Sequence, residues 1–249
     1  MEKFFSSENK IFIFLSKVFD LMVLGIIWFV FVLGIPSAVF FLLNKVLPPL
    51  VLGILGLLFF VTFVPTCTAM YYATVKVIRR ERSYLLKEFW HSFKLNFRQG
   101  VVISIIYELI GTIMYVDFLW VSQMEEGTKY TSMLTGVFIA ICIFVVLTAL
   151  YIFPLLSRFT VKTGQLFRWA FLLSVRHFLT TLIMLVCLLA TVVLGYYCVV
   201  TTVAVPLLLI LPALYVLLIS FPMEKVMKKY MPKVEETEEE SGVDHWYNE

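Results

Sequence analysis

The chain has 249 residues, 61% of them apolar and only 15% charged, with a net charge of +3. Soluble domains carry about 45–50% apolar and about 25% charged residues, so a soluble one- or two-domain protein is excluded. The apolar residues stand in runs long enough to cross a ~30 Å hydrocarbon core as helices, and the period-two alternation that a membrane barrel needs is absent.

The N-terminal MEKFFSSENKIFIFLSK leads into an apolar run too long for a signal peptide and followed by no A-x-A-like cleavage site, so the first helix is expected to be retained. Six spans are predicted, at about 18–43, 47–75, 100–121, 132–157, 178–197 and 202–221. The last two are separated by so few residues that a fused or re-entrant pair is an alternative. The predicted fold class is therefore all-α: a polytopic helical membrane protein of about six transmembrane helices, with cytoplasmic interfacial helices. Residues 1–230 form the membrane domain. Residues 231–249, with the acidic run EETEEE, are predicted to be a disordered cytoplasmic tail.

Charge sets the expected orientation. With the N-terminus inside, eighteen of the twenty Lys and Arg residues fall in cytoplasmic segments, and only Lys45 and Lys129 lie outside. Such a split follows the positive-inside rule and predicts an even number of spans, with both termini cytoplasmic. The chain is accordingly expected in a bacterial cytoplasmic membrane. The loops on the other side are short, which directs attention to the bilayer and the cytoplasmic face.

The first basic connection carries the densest signal. Within it Leu86, Phe89, Trp90, Phe93 and Phe97 fall on one helical stripe, and Lys87, His91, Lys94 and Arg98 on another. An aromatic stripe bordered by cations suits a helix lying in the membrane interface; packing against the inner ends of the spans is the alternative. Arg79, Arg80, Lys87, Trp90, Phe93, Lys94, Phe97 and Arg98 are the candidate interaction surface. The second connection, from Arg158 to His177, has a similar plan: a proline before it (Pro154, as Pro65 before the first), then a lysine, then aromatics. A parallel internal repeat would account for this.

Chemistry is sparse. The four cysteines (Cys67, Cys142, Cys187 and Cys198) form no C-x-x-C pair, and the three histidines belong to no metal-ligand pattern. No nucleophile elbow or phosphate-binding loop occurs, so no catalytic residue, cofactor or metal site is assigned, and the chain is expected not to be an enzyme. Glu108 is the acidic residue deep in a span, and an intramembrane carboxylate marks a functional candidate. Ser104, Glu108 and Tyr115 share a helical face and form the candidate intramembrane polar site; a neutral, purely structural glutamic acid is the competing reading.

Several motifs together resemble the YesL family of bacterial membrane proteins, also known as domain of unknown function 624. The matching residues begin in PTCTAMYYATVK, with Pro65, Thr68, Ala69 and Lys76, and continue in FWHSFKLNF, in the Asp117 of MYVD, and in FPLLSRF with Pro154 and Arg158. LLSVRHF, the basic MEKVMKKY and Asp20 in the first span complete the series. The chain departs from the pattern at Arg80-Glu81-Arg82 and at Thr160, and Glu108 and the acidic tail have no counterpart in it. The resemblance implies no established activity. It does imply a companion of carbohydrate transport systems of the ABC type, and hence a non-enzymatic accessory or regulatory component. The alternative is a small secondary transporter or channel using the polar face around Glu108. Expected partners are the lipid bilayer and a carbohydrate ABC transporter or other membrane protein, with no nucleic acid.

Overall fold

The computed structural model describes residues 10–43, 60–79, 84–123, 129–201 and 205–230. Among these described residues eight α-helices follow one another: α1 (Lys10–Phe29), α2 (Ile35–Leu43), α3 (Phe63–Ala73), α4 (Leu85–Val121), α5 (Lys129–Arg158), α6 (Thr163–Arg176), α7 (Phe178–Thr201) and α8 (Val205–Met227). Among the described residues there is no strand. Five stretches of the described residues are long and apolar enough to cross a membrane: Phe14–Leu43, Leu85–Val121, Tyr130–Arg158, Phe178–Thr201 and Leu207–Met227. The chain is thus an all-α, multi-pass membrane protein. Of the second predicted span, 47–75, the part before Phe60 lies outside the described residues, as do Gly53, Gly56, Arg80 and the 231–249 tail.

The first span is not one regular helix. A π-helical turn, Val30–Gly34, joins α1 to α2. Pro36 follows it and has no N–H to give to the preceding turn, so a widened turn there relieves the ring–carbonyl clash. The loosened backbone is used: Thr62 donates its hydroxyl to the Phe31 carbonyl at 2.6 Å. This ties the first span to the start of α3.

α3 is the axis of the bundle. Every residue from Val64 to Ala73 is buried, a pattern of a helix enclosed on all sides. Its Thr, Cys and Ala side chains are small, which lets neighbours approach closely. α4 does so at Gly100, where an added Cβ would come within 2.8 Å of the Pro65 ring. α5 and α8 pack against α3 from other sides, and α1 lies along α8. At that last seam Gly25 sits directly on the Leu209 carbonyl, where no side chain fits.

α4 corrects one expectation. A separate interfacial helix followed by a span was predicted, yet Leu85–Val121 is one unbroken helix of 37 residues. At 1.5 Å per residue that is about 55 Å, well beyond a ~30 Å core. With no proline or glycine before Gly100 to turn it, its basic first third runs on in line with the span and packs on the bundle through Leu85, Glu88, Phe89, Ser92 and Phe93, the packing alternative raised above. The second connection is built differently. α6 is a separate helix that buries Leu166, Ala170, Leu173 and Ser174 along one face, and the chain turns at His177 before α7. Thr181 secures this corner by donating to the Ser174 carbonyl at 2.7 Å and pairing with the Tyr151 hydroxyl at 2.9 Å. The two connections therefore share a sequence plan but not a structure. The last two apolar runs are separate helices, α7 and α8, packed on each other.

Candidate functional site at the basic end of the bundle

The end of α3, the start of α4, the end of α5 and the end of α8 converge, and their charged side chains meet. Arg158 Nη2 lies 2.8 Å from Glu224 Oε1, with both side chains almost fully buried. The Tyr71 hydroxyl donates to the same oxygen at 3.1 Å. One carboxylate thus joins α3, α5 and α8. Taking two charges out of water is costly, and the geometry must repay it through direct, hydrogen-bonded contact; such pairs specify which helices meet more than they add stability.

Two further cations are held beside this pair. Lys76, in the π-helical turn Thr74–Arg79 that follows α3, is 2.9 Å from Glu88 of α4. Burial by itself would lower the Lys76 pKa, but the hydrogen bonds to Glu88 and Tyr72 more than offset it, so the ammonium titrates above its ordinary range. Arg79 donates to the Ser220 carbonyl at 2.8 Å, and its guanidinium stacks 4.5 Å from the Phe221 ring centroid. Arg79 is therefore an internal fastener between the turn and α8, not part of an open surface.

The rest of the predicted interaction surface divides in two. Lys87, Trp90, Lys94, Phe97 and Arg98 are exposed along the outer face of the first third of α4. Phe93, by contrast, is buried with Phe89, the two rings stacked at 5.9 Å, and Phe31 closes on Phe93 at 5.4 Å. Helical geometry accounts for the division. A single stripe wide enough to include Phe89, Phe93, Trp90 and Phe97 spans more of the helix circumference than one neighbour can cover. Arg80 lies outside the described residues.

The intramembrane polar site is also redistributed. Glu108 Oε1 accepts the Phe60 N–H at 2.6 Å, and Ser104 Oγ accepts the Val64 N–H at 3.2 Å. The Val64 N–H is in the first turn of α3, where a helix leaves its N–H groups unsatisfied, and the Phe60 N–H is in the turn that leads into it. In an apolar medium such groups cannot turn to water, so a carboxylate and a hydroxyl from the adjacent helix serve as the cap. Tyr115 takes no part; it is 63% exposed on the outside of the bundle. Among the family-motif residues, Pro65, Thr68 and Ala69 are buried in the axis, Pro154 is buried in α5, Lys76 and Arg158 are ion-paired, Asp20 is half-buried and Asp117 is exposed.

Next to Tyr71 the bundle forms a half-open apolar chamber of about 510 Å³. Trp28, Cys67, Tyr71, Phe153, Thr191 and Tyr215 are among its walls, contributed by five different helices. The Trp28 indole N–H points at Cys67 Sγ at 3.4 Å. Tyr71 lines the chamber and also bonds Glu224 of the ion pair. Among the described residues no group of three or more His, Cys, Asp or Glu side chains is placed to hold a metal.

Glu88 and Glu224 were not singled out from the sequence. The signal that would have found them is compositional. Each is an acid inside a strongly basic segment at a span end, where an unpaired carboxylate would be disfavoured.

No curated protein and no solved structure matches the chain significantly. The model of the family described as protein of unknown function, DUF624, matches residues 21–118, which include α3 and the Lys76–Glu88 pair. The YesL family is the DUF624 family, so this match to residues 21–118 is consistent with the resemblance drawn from the motifs.

Proposed function

We propose that this protein is a non-enzymatic accessory component of a membrane transport system, oriented with its basic end and both termini in the cytoplasm. The observation that carries this reading is the outer face of the first third of α4. The helix there is an unbroken continuation of a membrane span that presents Lys87, Trp90, Lys94, Phe97 and Arg98 outward. Exposed aromatics interleaved with cations are the side chains that interfaces use as anchors, and a rigid helix presents them with little ordering cost. The eighteen basic residues concentrated in the segments at this end support the cytoplasmic assignment. The YesL resemblance points to an ABC-type carbohydrate uptake system as the partner.

The test is co-purification of the tagged full chain with an ABC permease or its ATPase. Trp90→Ala with Lys94→Ala should abolish it while the protein remains monodisperse in detergent. Retained co-purification in that variant would refute the α4 surface. The chamber favours a second reading, a small secondary transporter in which the Arg158–Glu224 pair, tied to the chamber through Tyr71, opens to the basic side. Solute flux in liposomes holding only this protein, lost in Glu224→Gln, would establish that reading and displace the first.

A further inference from the structure

At the corner where α6 turns into α7, a second pocket opens beside the end of α8. It has a volume of about 280 Å³. Leu155, Leu173 and Met227 form its buried base, while Trp169 and Arg176 of α6 and Tyr230 stand at its rim, all three exposed. The base is wholly apolar and the rim is cationic. Arg176 lies over the Tyr230 ring, 5.7 Å from its centroid, and His177 Nε2 is 3.0 Å from the Tyr230 hydroxyl. Lys228 and Lys229 are exposed immediately before Tyr230. Among the described residues Arg176 has no carboxylate partner, whereas Glu224, on the last turns of α8, is turned inward onto Arg158. The excess positive charge at this rim is felt by its neighbours. Burial, then Lys229 and Arg176, hold the His177 imidazole below its ordinary pKa.

We propose that this pocket binds one anionic glycerophospholipid, with an acyl chain on Leu155, Leu173 and Met227 and the phosphate held by Arg176 and Lys229. Charge complementarity selects the occupant. An apolar floor takes a hydrocarbon chain, and a guanidinium beside an ammonium takes a phosphate diester, which a zwitterionic headgroup partly neutralises itself. Position agrees with this. α6 crosses the basic end of the bundle with Trp169, Phe171, Leu172 and Val175 exposed. A tryptophan at the rim of an apolar pocket marks the depth at which headgroups and chains meet. The pocket is also small for a drug-sized ligand, whose sites run from about 300 to 1,000 Å³, but adequate for one chain segment.

The full chain would be reconstituted with equal amounts of phosphatidylglycerol and phosphatidylcholine, extracted in mild detergent, and examined by native mass spectrometry. One retained phosphatidylglycerol per chain is expected, at least tenfold over phosphatidylcholine. Arg176→Gln with Lys229→Gln should remove that preference, and Lys87→Gln with Lys94→Gln on α4 should leave it intact. Leu172→Trp, an exposed change at the pocket mouth, should lower retention of both lipids without altering any charge. Equal retention of the two lipids by the unchanged chain would overturn the proposal. So would phosphatidylglycerol preference surviving both the rim and the mouth variants, or falling equally with the α4 charges.

Discussion

Arg158, at the end of α5, and Glu224, near the end of α8, meet at 2.8 Å although 66 residues separate them in the chain. Both side chains are buried, and Tyr71 of the central helix shares the carboxylate. The contact ties the ends of three helices together, and Tyr71 links it to the apolar chamber. Removing one charge strands the other. Arg158→Met or Glu224→Leu alone is expected to destabilise the protein by about 3–5 kcal/mol. The double variant should recover a large part of that loss. Unfolding of the detergent-solubilised protein measures all three, and strictly additive losses would show that the two residues do not act as a pair.

At the seam of α1 and α8, Gly25 rests against the Leu209 carbonyl, leaving no room for a methyl group. Gly25→Ala must push the helices apart, and a loss at or above the usual ~1–3 kcal/mol for overpacking is expected because the obstacle is backbone. Gly111 provides the control, since nothing lies within 4 Å of its Cβ position. Gly111→Ala should be neutral or gain up to ~1 kcal/mol from the better helix propensity of alanine. Thermal shift of the two variants in the same detergent compares them directly.

Glu108 caps the start of α3 through the Phe60 N–H, a task that an amide oxygen also performs. Glu108→Gln should therefore preserve stability, whereas Glu108→Ala should cost about 1–3 kcal/mol by leaving a donor unmet. A proton-relay role predicts the opposite sensitivity, with Gln as disabling as Ala in a flux assay. Parallel stability and flux measurements on the two variants separate these outcomes.

His177 gives the basic end a pH dependence with a defined sign. Its folded pKa is lowered from 6.5, first by burial and then by Lys229 and Arg176, so the unfolded chain binds the proton more readily. Stability should accordingly fall as pH drops below about 6.5 and level off under the lower folded pKa. His177→Gln should flatten the profile between pH 7 and 5, measured as apparent melting temperature. An unchanged slope in that variant would assign the dependence to another group.

The sequence alone determined that the chain is helical, multi-pass and strongly asymmetric in charge. It did so because hydropathy and charge are local quantities: a run of apolar residues such as Phe178–Thr201 needs no partner to declare itself a span. PTCTAMYYATVK was legible as a family motif, but its place as the buried axis of the bundle was not. Partnership was not legible. Nothing in the spacing of residues selects Glu224 for Arg158 or Glu88 for Lys76. Nor does it turn Phe93 inward while leaving Trp90 and Lys94 outside, or direct Glu108 to the N–H groups of another helix. Those choices depend on which helix faces which and at what height, and only packing around α3 sets that. The continuity of α4 was decided the same way. Its amphipathic first third has the pattern of a helix lying flat on a membrane, yet Phe89 and Phe93 dock into the core and the backbone runs on unbroken into the span.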